Sequence, residues 1–585
     1  MTINEYYTKE LQALRSLGAE FSEKNPGLSS FLSRKGQDPD VERLLEGFSF
    51  LTGRLRQYMD EQLPEVAHSL ANLLWPNYLK PIPSYAILQY TPQKIDAVMH
   101  IKKGEEVSGI HEKNGTECIF QTCYNTDVHP LEITDAHYYN EGEQSIIELR
   151  FKTLQNISLD NINLDRLRFY IGDHEHVSDN LYLELMHYVD SIDIVVEKEF
   201  HEKRLKKGSI EAVGFSNDEN ILPEIKNVFS GYRLLKEYFC YRDKYHFIDI
   251  INLDILQRFS ESALKNNHTF SLKIKLSRKL KITKKITKEN FKLYCTPIIN
   301  IFDTTAQPIK KSLHEEYEVL PSNIEYEDSE VYSIEVVNGW DSRRNKKHKY
   351  ISFESFDHAE KNIDYFSTRI KLAEDETRTK TYLRFDPKEG IDNDQFHDGL
   401  TVSTDIKITN RDLPTSLHIG DISKTTINST VSKVTFKNIT VPTKSYIPPI
   451  RGDFLWRVIS NMSLNYLSLD SVKTLRNILG TYDFIGASNV LQKKHTDSLL
   501  SGLSSIEQSS TDMIYKGLPM RGTVSKLTLD SKKYATVGEA YLFSSILNEF
   551  FSLYCSINSF HKLEVIMDKK AHFTWKAKLG KQVLL

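Results

Sequence analysis

The sequence predicts a multidomain α+β protein. A helical module is expected over 1–84, a β-rich domain over 85–335, a second β-rich domain over 336–447 and a C-terminal α+β domain over 448–585. Three observations carry this. Apolar residues step by three and four through the first 76 residues, the spacing of one helical face. From Ser84 the apolar period falls to two, as in strands with one face on a core, which makes the middle domains sandwich- or barrel-like. Near 448 helical spacing returns, and the chain closes as strand, helix, strand.

The totals agree. At 585 residues the chain is too long for one core, so three or four domains are expected. Hydrophobic residues at 40% and charged residues at 26% are ordinary for a soluble globular protein. A net charge of −4 argues against general nucleic-acid binding, which needs a basic excess. Tyr and Phe are abundant, which suits strands and interface cores alike. Five scattered cysteines imply no disulfide framework and fit a reducing compartment. The N-terminus MTINEYYTKELQ lacks the apolar core of a secretory signal, and no run of eighteen apolar residues occurs. The expected location is the cytoplasm.

The first helix is read over 4–24, with Tyr7, Leu11, Leu14, Gly18 and Phe21 on one face, and Asn25-Pro26-Gly27 stops it. The second opens at Asp38-Pro39, a cap and first turn. Val41, Leu44, Phe48, Leu51, Leu55 and Tyr58 form its seam, and Leu45 and Met59 widen the stripe beyond what one neighbour would cover. A third helix starts at Pro64 and ends at Trp75-Pro76. Fully buried, the second seam is worth on the order of 10 kcal/mol as an upper bound. It must pack in its own core or against a partner's helices, and the residues alone favour its own core.

Strand-period runs follow at 85–90, 146–152, 167–171, 193–198 and 269–276, interrupted by a helical island at 181–189. Residues 331–440 continue β-rich, with a loop expected around 340–350. Residues 448–469 open a helix containing Trp456, Val458, Ile459 and Met462. A Ser-rich stretch at 496–511 lacks a firm period and reads as a second loop. Strand 523–530, helix 538–555 and strand 562–567 end the chain.

Catalytic, cofactor-binding and metal residues are not assigned. The chain has no phosphate-cradling glycine loop, no nucleophile elbow and no H-E-x-x-H helix. His174 and His176 lack a third ligand at recognisable spacing and read as an exposed turn. Cys118 and Cys123 are too far apart for a redox pair, and Arg451-Gly452-Asp453 reads as a turn and helix cap. Glu325, Glu327, Asp328 and Glu330 read as a solvated loop. The basic stretches 275–290 and 342–350 read as solvated edges or loops, since edge lysines oppose aggregation. The alternatives are an acidic protein partner, or nucleic-acid or membrane-surface binding; a hydrolase hidden in the β domains is a further alternative. The lack of a legible constellation points to binding rather than catalysis.

RLLEGFSFLTGRL (43–55), followed by NLLWPNYLKPIPSYAILQY (72–90), resembles the opening of the TssF family, also called VasA or ImpG, a baseplate subunit of the bacterial type VI secretion system. The resemblance continues in family order through CIFQTCYNTDVHPLEITDAHY (118–138), VGFSNDENILP (213–223), FSGYRLLKEYFCYRDKYHFIDI (229–250) and LYCTPIINIFDTTAQPI (293–309). EVYSIEVV (330–337), TNRDLP (409–414), WRVISNMSLNYLSL (456–469), RGTVSKLTLD (521–530) and INSFHKLEVI (557–566) complete it, with variable loops expected at 340–380 and 490–515.

The resemblance implies a structural, non-enzymatic part in a contractile, phage-tail-like injection machine, with no cofactor. The family is similar to the wedge protein of contractile phage baseplates. It implies two copies of this chain with one TssG, TssK trimers attached, the sheath initiator TssE nearby, and wedges assembled around the VgrG spike hub. The wedges would support sheath and tube assembly and dock on the membrane complex at the inner face of the inner membrane. With the family in view, Tyr7, Leu11, Leu14, Phe21 and Val41, Leu44, Phe48, Leu51, Leu55, Tyr58 become partner-binding seams of a multi-chain helical bundle. Trp456, Arg457, Asn465 and Tyr466 are a second candidate interface, and flexible junctions are expected near 80–84 and 440–450.

Overall fold

The computed structural model describes residues 7–8, 10–16, 40, 43–54, 78–110, 115–172, 175–196, 202–223, 230–265, 267–282, 284–311, 316–341, 345–353, 364–375, 377–385, 400–425, 434–448, 450, 471–555, 558–568 and 571–580. The chain divides into two compact units, 1–79 with 450–460, and 80–449 with 461–585. In the first, residues 10–16 and 43–54 are helical.

The second unit is the mixed α+β architecture that the alternating patterns predict. A six-stranded sheet places Cys295–Ile299 beside Tyr85–Pro92, which also pairs with Val434–Asn438 from far along the chain. A five-stranded sheet centres on Thr269–Leu276, whose bounds match the alternation of Phe270, Leu272, Ile274 and Leu276. Its basic residues are paired outward: Lys275 with Asp193 at 3.0 Å, Lys273 with Glu202 at 2.6 Å, and Lys279 with Glu143 at 3.0 Å. The first basic stretch is therefore neutralised at its start, through Lys275 and Lys279.

An eight-stranded sheet runs from Phe302–Thr305 to Leu400–Thr409 and wraps a core of Val337, Tyr350, Phe366, Leu383, Phe385, Val402 and Ile406. Position 335/336 lies within its strand Glu330–Asp341. Two asparagines tie it to the six-stranded sheet. Asn300 donates to Asn410 Oδ1 at 2.8 Å and to the Ile119 carbonyl at 2.7 Å, and the Asn410 amide donates to Asn300 Oδ1 at 2.7 Å. Both are fully buried. Asn410→Ala would keep the bond from its own backbone N–H but remove the Oδ1 that accepts from the Asn300 side chain and the Ile119 N–H, and a loss of about 3 kcal/mol in unfolding free energy by denaturant titration is expected.

Two stretches read as loops are strands. Residues 346–352 form Lys346–Ser352, paired with Glu330–Asp341. The Ser-rich stretch 496–511 is the end of helix Val490–Ser501 and most of strand Leu503–Tyr515, which pairs with Leu518–Leu529. The second escapes period analysis because strand Leu503–Tyr515 has no buried residue from Glu507 onward. Its turn is Lys516-Gly517, with φ of 50° and 82°, the left-handed pair that suits a two-residue hairpin. His176 lies in helix Glu175–His187 rather than in a turn, and His174 lies outside the described residues.

The expected junctions are not free either: Ile82 and Tyr446 exchange backbone hydrogen bonds at 2.8 and 2.9 Å. Leu518–Leu529 lies parallel to Phe560–Met567, joined through helix Val537–Tyr554, as the strand-helix-strand reading requires, and the short strands Ala571–Thr574 and Lys578–Leu579 then add antiparallel to Phe560–Met567.

Candidate docking interface

Helix 43–54 forms where RLLEGFSFLTGR holds no proline and places large apolar side chains at successive turns. Its covered stripe is narrow and small. Leu45 is half-buried, while Ser49 and Gly53 are buried, and the Ser49 hydroxyl bonds back to the Leu45 carbonyl at 2.6 Å. The adjacent stripe carries the described part of the seam read from the sequence, and that part faces water. Leu44 is 73% exposed, Phe48 56% and Leu51 66%. Phe50 is exposed on another side of the same helix. Gly47 lies between Leu44 and Leu51 on the seam, and a Cβ there would meet nothing within 4 Å.

Of the first helix, Tyr7, Leu11 and Leu14 are half-buried. Phe21, Val41, Leu55 and Tyr58 lie outside the described residues, as do Trp456, Arg457, Asn465 and Tyr466. Sequence reading missed the tip of the hairpin Leu503–Leu529, where the large apolar side chains of Ile514 and Leu518 are 82% and 71% exposed. The left-handed Lys516-Gly517 turn between two apolar residues was the available signal.

The charged groups inside the second unit are organised as ion networks. Arg242 binds Asp179 and, at 2.9 Å, Glu539; His246 meets Asp179 at 2.9 Å, and His495 meets Glu539 at 2.9 Å. Burial alone would neutralise Asp179, but hydrogen bonds from His246 and the charge of Arg242 hold its carboxyl below the usual range. Burial also opposes charging of His246, and Asp179 and Asp243 outweigh it, holding that imidazole at about 9. Glu237, fully buried, accepts from the amides of Ile221 and Leu222 at 3.0 Å and binds Lys244. Burial pushes the thiols of Cys118, Cys123 and Cys240 up to about 12, the opposite of nucleophile activation.

Burial also drives His129 and His561 down to about 4, so both are neutral in the folded state at pH 7. A base with a depressed folded pKa stabilises above its unfolded value near 6.5 and loses that contribution as pH falls, here by about 3 kcal/mol for each histidine by pH 4. His246 has the reverse sign: its contribution is full below pH 6.5 and fades as pH rises through about 9. Thermal melts across pH 4–10 are expected to give greatest stability near neutrality, with a steep acid limb that His561→Gln makes shallower.

Among the described residues no group of three metal-ligating side chains converges. No described helix is long and apolar enough to cross a membrane.

The family model described as "Type VI secretion system, TssF" matches residues 1–582. The chain belongs to the TssF family. The type VI secretion system component TssF1 of Pseudomonas aeruginosa is 26% identical over 626 aligned positions, covering 98% of both chains. A chain in a cryo-electron-microscopy structure of a TssK-TssF-TssG baseplate subcomplex superposes with a TM-score of 0.78 at 27% identity. That match covers 93% of this chain and 99% of the other. A chain of a type VI secretion system baseplate complex matches over the full length of both, with a TM-score of 0.62 and 22% identity, a likeness of fold. This TssF-family chain thus has the fold of a structural baseplate component from end to end.

Proposed function

We propose that this chain is a structural subunit of the type VI secretion baseplate wedge and that its N-terminal seams are what the neighbouring subunits cover. The observation that carries the reading is the exposed ridge of Leu44, Phe48 and Leu51. A helix apolar on more than one side is stable only when more than one neighbour covers it. Obligate assemblies bury more than about 2,000 Å² with apolar centres. Gly47 lets a partner's backbone approach closely along the ridge.

TssG is the partner assigned to the seams, with TssK attached through the same complex. A second copy of this chain, TssE and the VgrG hub complete the expected neighbourhood, on the cytoplasmic side of the inner membrane. Phe21, Val41, Leu55 and Tyr58 extend the seams in this reading, and Trp456, Arg457, Asn465 and Tyr466 form a second contact. The helical module 1–84 is the assembly end, and 85–447 and 448–585 are the body it carries.

The role is non-enzymatic. Support comes from titrating groups committed to ion networks and from thiols held protonated. Light scattering after size exclusion tests the assembly claim: the purified chain mixed with TssG is expected to elute as one complex, and separate elution would overturn it.

A further inference from the structure

The outward face of the eight-stranded sheet carries an ordered row across four strands. Lys310 pairs opposite Thr401, Thr401 opposite Trp340, and Trp340 opposite Lys347. Directly opposed residues of antiparallel strands point to the same side. The adjacent row is Ser403, Asn338 and Lys349. Trp340 is 40% exposed, Lys310, Lys347 and Lys349 are exposed, and Val336, also exposed, lies four residues away along the same strand, opposite Asp405. None of those three lysines has an ion pair among the described residues, in contrast to the neutralised lysines of the five-stranded sheet.

Edge protection accounts for part of this. Among the described residues only Tyr350–Ser352 of strand Lys346–Ser352 pairs with Asp364–Leu372, which leaves Lys347 and Lys349 where edge lysines are placed. It does not account for a tryptophan left in water between two strands; Lys310 lies on the short strand Ile309–Lys310 at the opposite edge, three strand spacings from Lys347. An aromatic anchor with a cationic surround is the composition of an interface centre whose partner is anionic. One aromatic on a sheet face offers no apolar wedge for a bilayer and no succession of platforms for bases.

We propose that this face docks an acidic protein surface, with an apolar side chain over Trp340 and carboxylates on Lys310, Lys347 and Lys349. Three strand spacings place the row's two ends roughly 14 Å apart. Carboxylates four residues apart on an extended segment lie about 13 Å apart and on one side, which fits.

The inference rests on the baseplate reading for its choice of sample, a complex purified through an affinity tag on this chain. Free chain and complex are treated separately with an acetylating ester and with a zero-length carbodiimide, and both are read by mass spectrometry. Lys347 and Lys349 are expected to acetylate at least about fivefold more slowly in the complex, and the carbodiimide to join one of them to an Asp or Glu of another polypeptide. Lys347→Glu with Lys349→Glu is expected to reduce recovery of that polypeptide by about tenfold, and Lys347→Arg with Lys349→Arg to retain it. Equal acetylation in free chain and complex would overturn the inference. So would protection that disappears on nuclease or detergent treatment without a carboxylate cross-link, since it assigns the face to nucleic acid or lipid. Recovery of TssG in the same samples reports separately on the baseplate reading.

Discussion

Leu44→Asp combined with Phe48→Asp is expected to abolish copurification with TssG while the melting of the β-sheet unit stays unchanged. Each large side chain contributes roughly 1.5–3 kcal/mol when fully covered. Each new carboxylate must either lose its water in an apolar contact or keep the helices apart, and an unpaired polar group there costs a further 2 kcal/mol or about that. Together the two sites remove about 7 kcal/mol from association, which weakens binding by roughly 10⁵-fold. In the free chain both positions face water, so the same changes cost it less than about 0.5 kcal/mol. The combination of lost assembly and retained fold separates a docking ridge from a core helix. Pull-down with tagged TssG and circular dichroism of the double variant measure the two halves, and a variant that still assembles contradicts the assignment.

Arg242→Leu is expected to destabilise the second unit by about 3–5 kcal/mol. The guanidinium lies between Asp179, on helix Glu175–His187, and Glu539, on helix Val537–Tyr554, and both carboxylates are buried. Glu539 also accepts from the Ala535 amide at 2.6 Å, and Gly538 lies against the Asp179 backbone so closely that a Cβ would meet it at 2.3 Å. Leucine replaces the volume of the arginine stem but removes the cation shared by two buried carboxylates, leaving Asp179 with His246 alone and Glu539 with His495 and the Ala535 amide. The loss is expected to appear as a lower melting temperature. His495→Gln, at the half-exposed end of the network, is expected to cost less than about 1 kcal/mol. A melt of Arg242→Leu indistinguishable from the parent would show that the network does not hold these helices together.

The sequence reveals what repeats locally and hides what meets at a distance. Thr269–Leu276 is legible because every second residue faces a core, and helix 43–54 because its seam repeats each turn. Which of that helix's stripes is covered is not legible: the buried one is Leu45, Ser49 and Gly53, smaller and less apolar than the seam beside it. Strand Leu503–Tyr515 is missed because it has no buried residue from Glu507 onward, which erases the two-residue period. Strand Lys346–Ser352 is missed because its run of cations resembles a loop. Asn300 with Asn410, and Arg242 with Glu539, are partners 110 and 297 positions apart, and no local pattern announces them.

The most direct measurement concerns the coverage of the ridge itself. A maleimide reacting with Leu51→Cys reads that coverage with little background, because four of the five native cysteines are buried and the fifth, Cys555, is half-buried. In the free, monodisperse chain the new thiol is expected to react as fast as one in an unfolded peptide, and bound to TssG it is expected to be protected. A thiol already shielded in the free chain, or one equally reactive in the complex, would contradict the account.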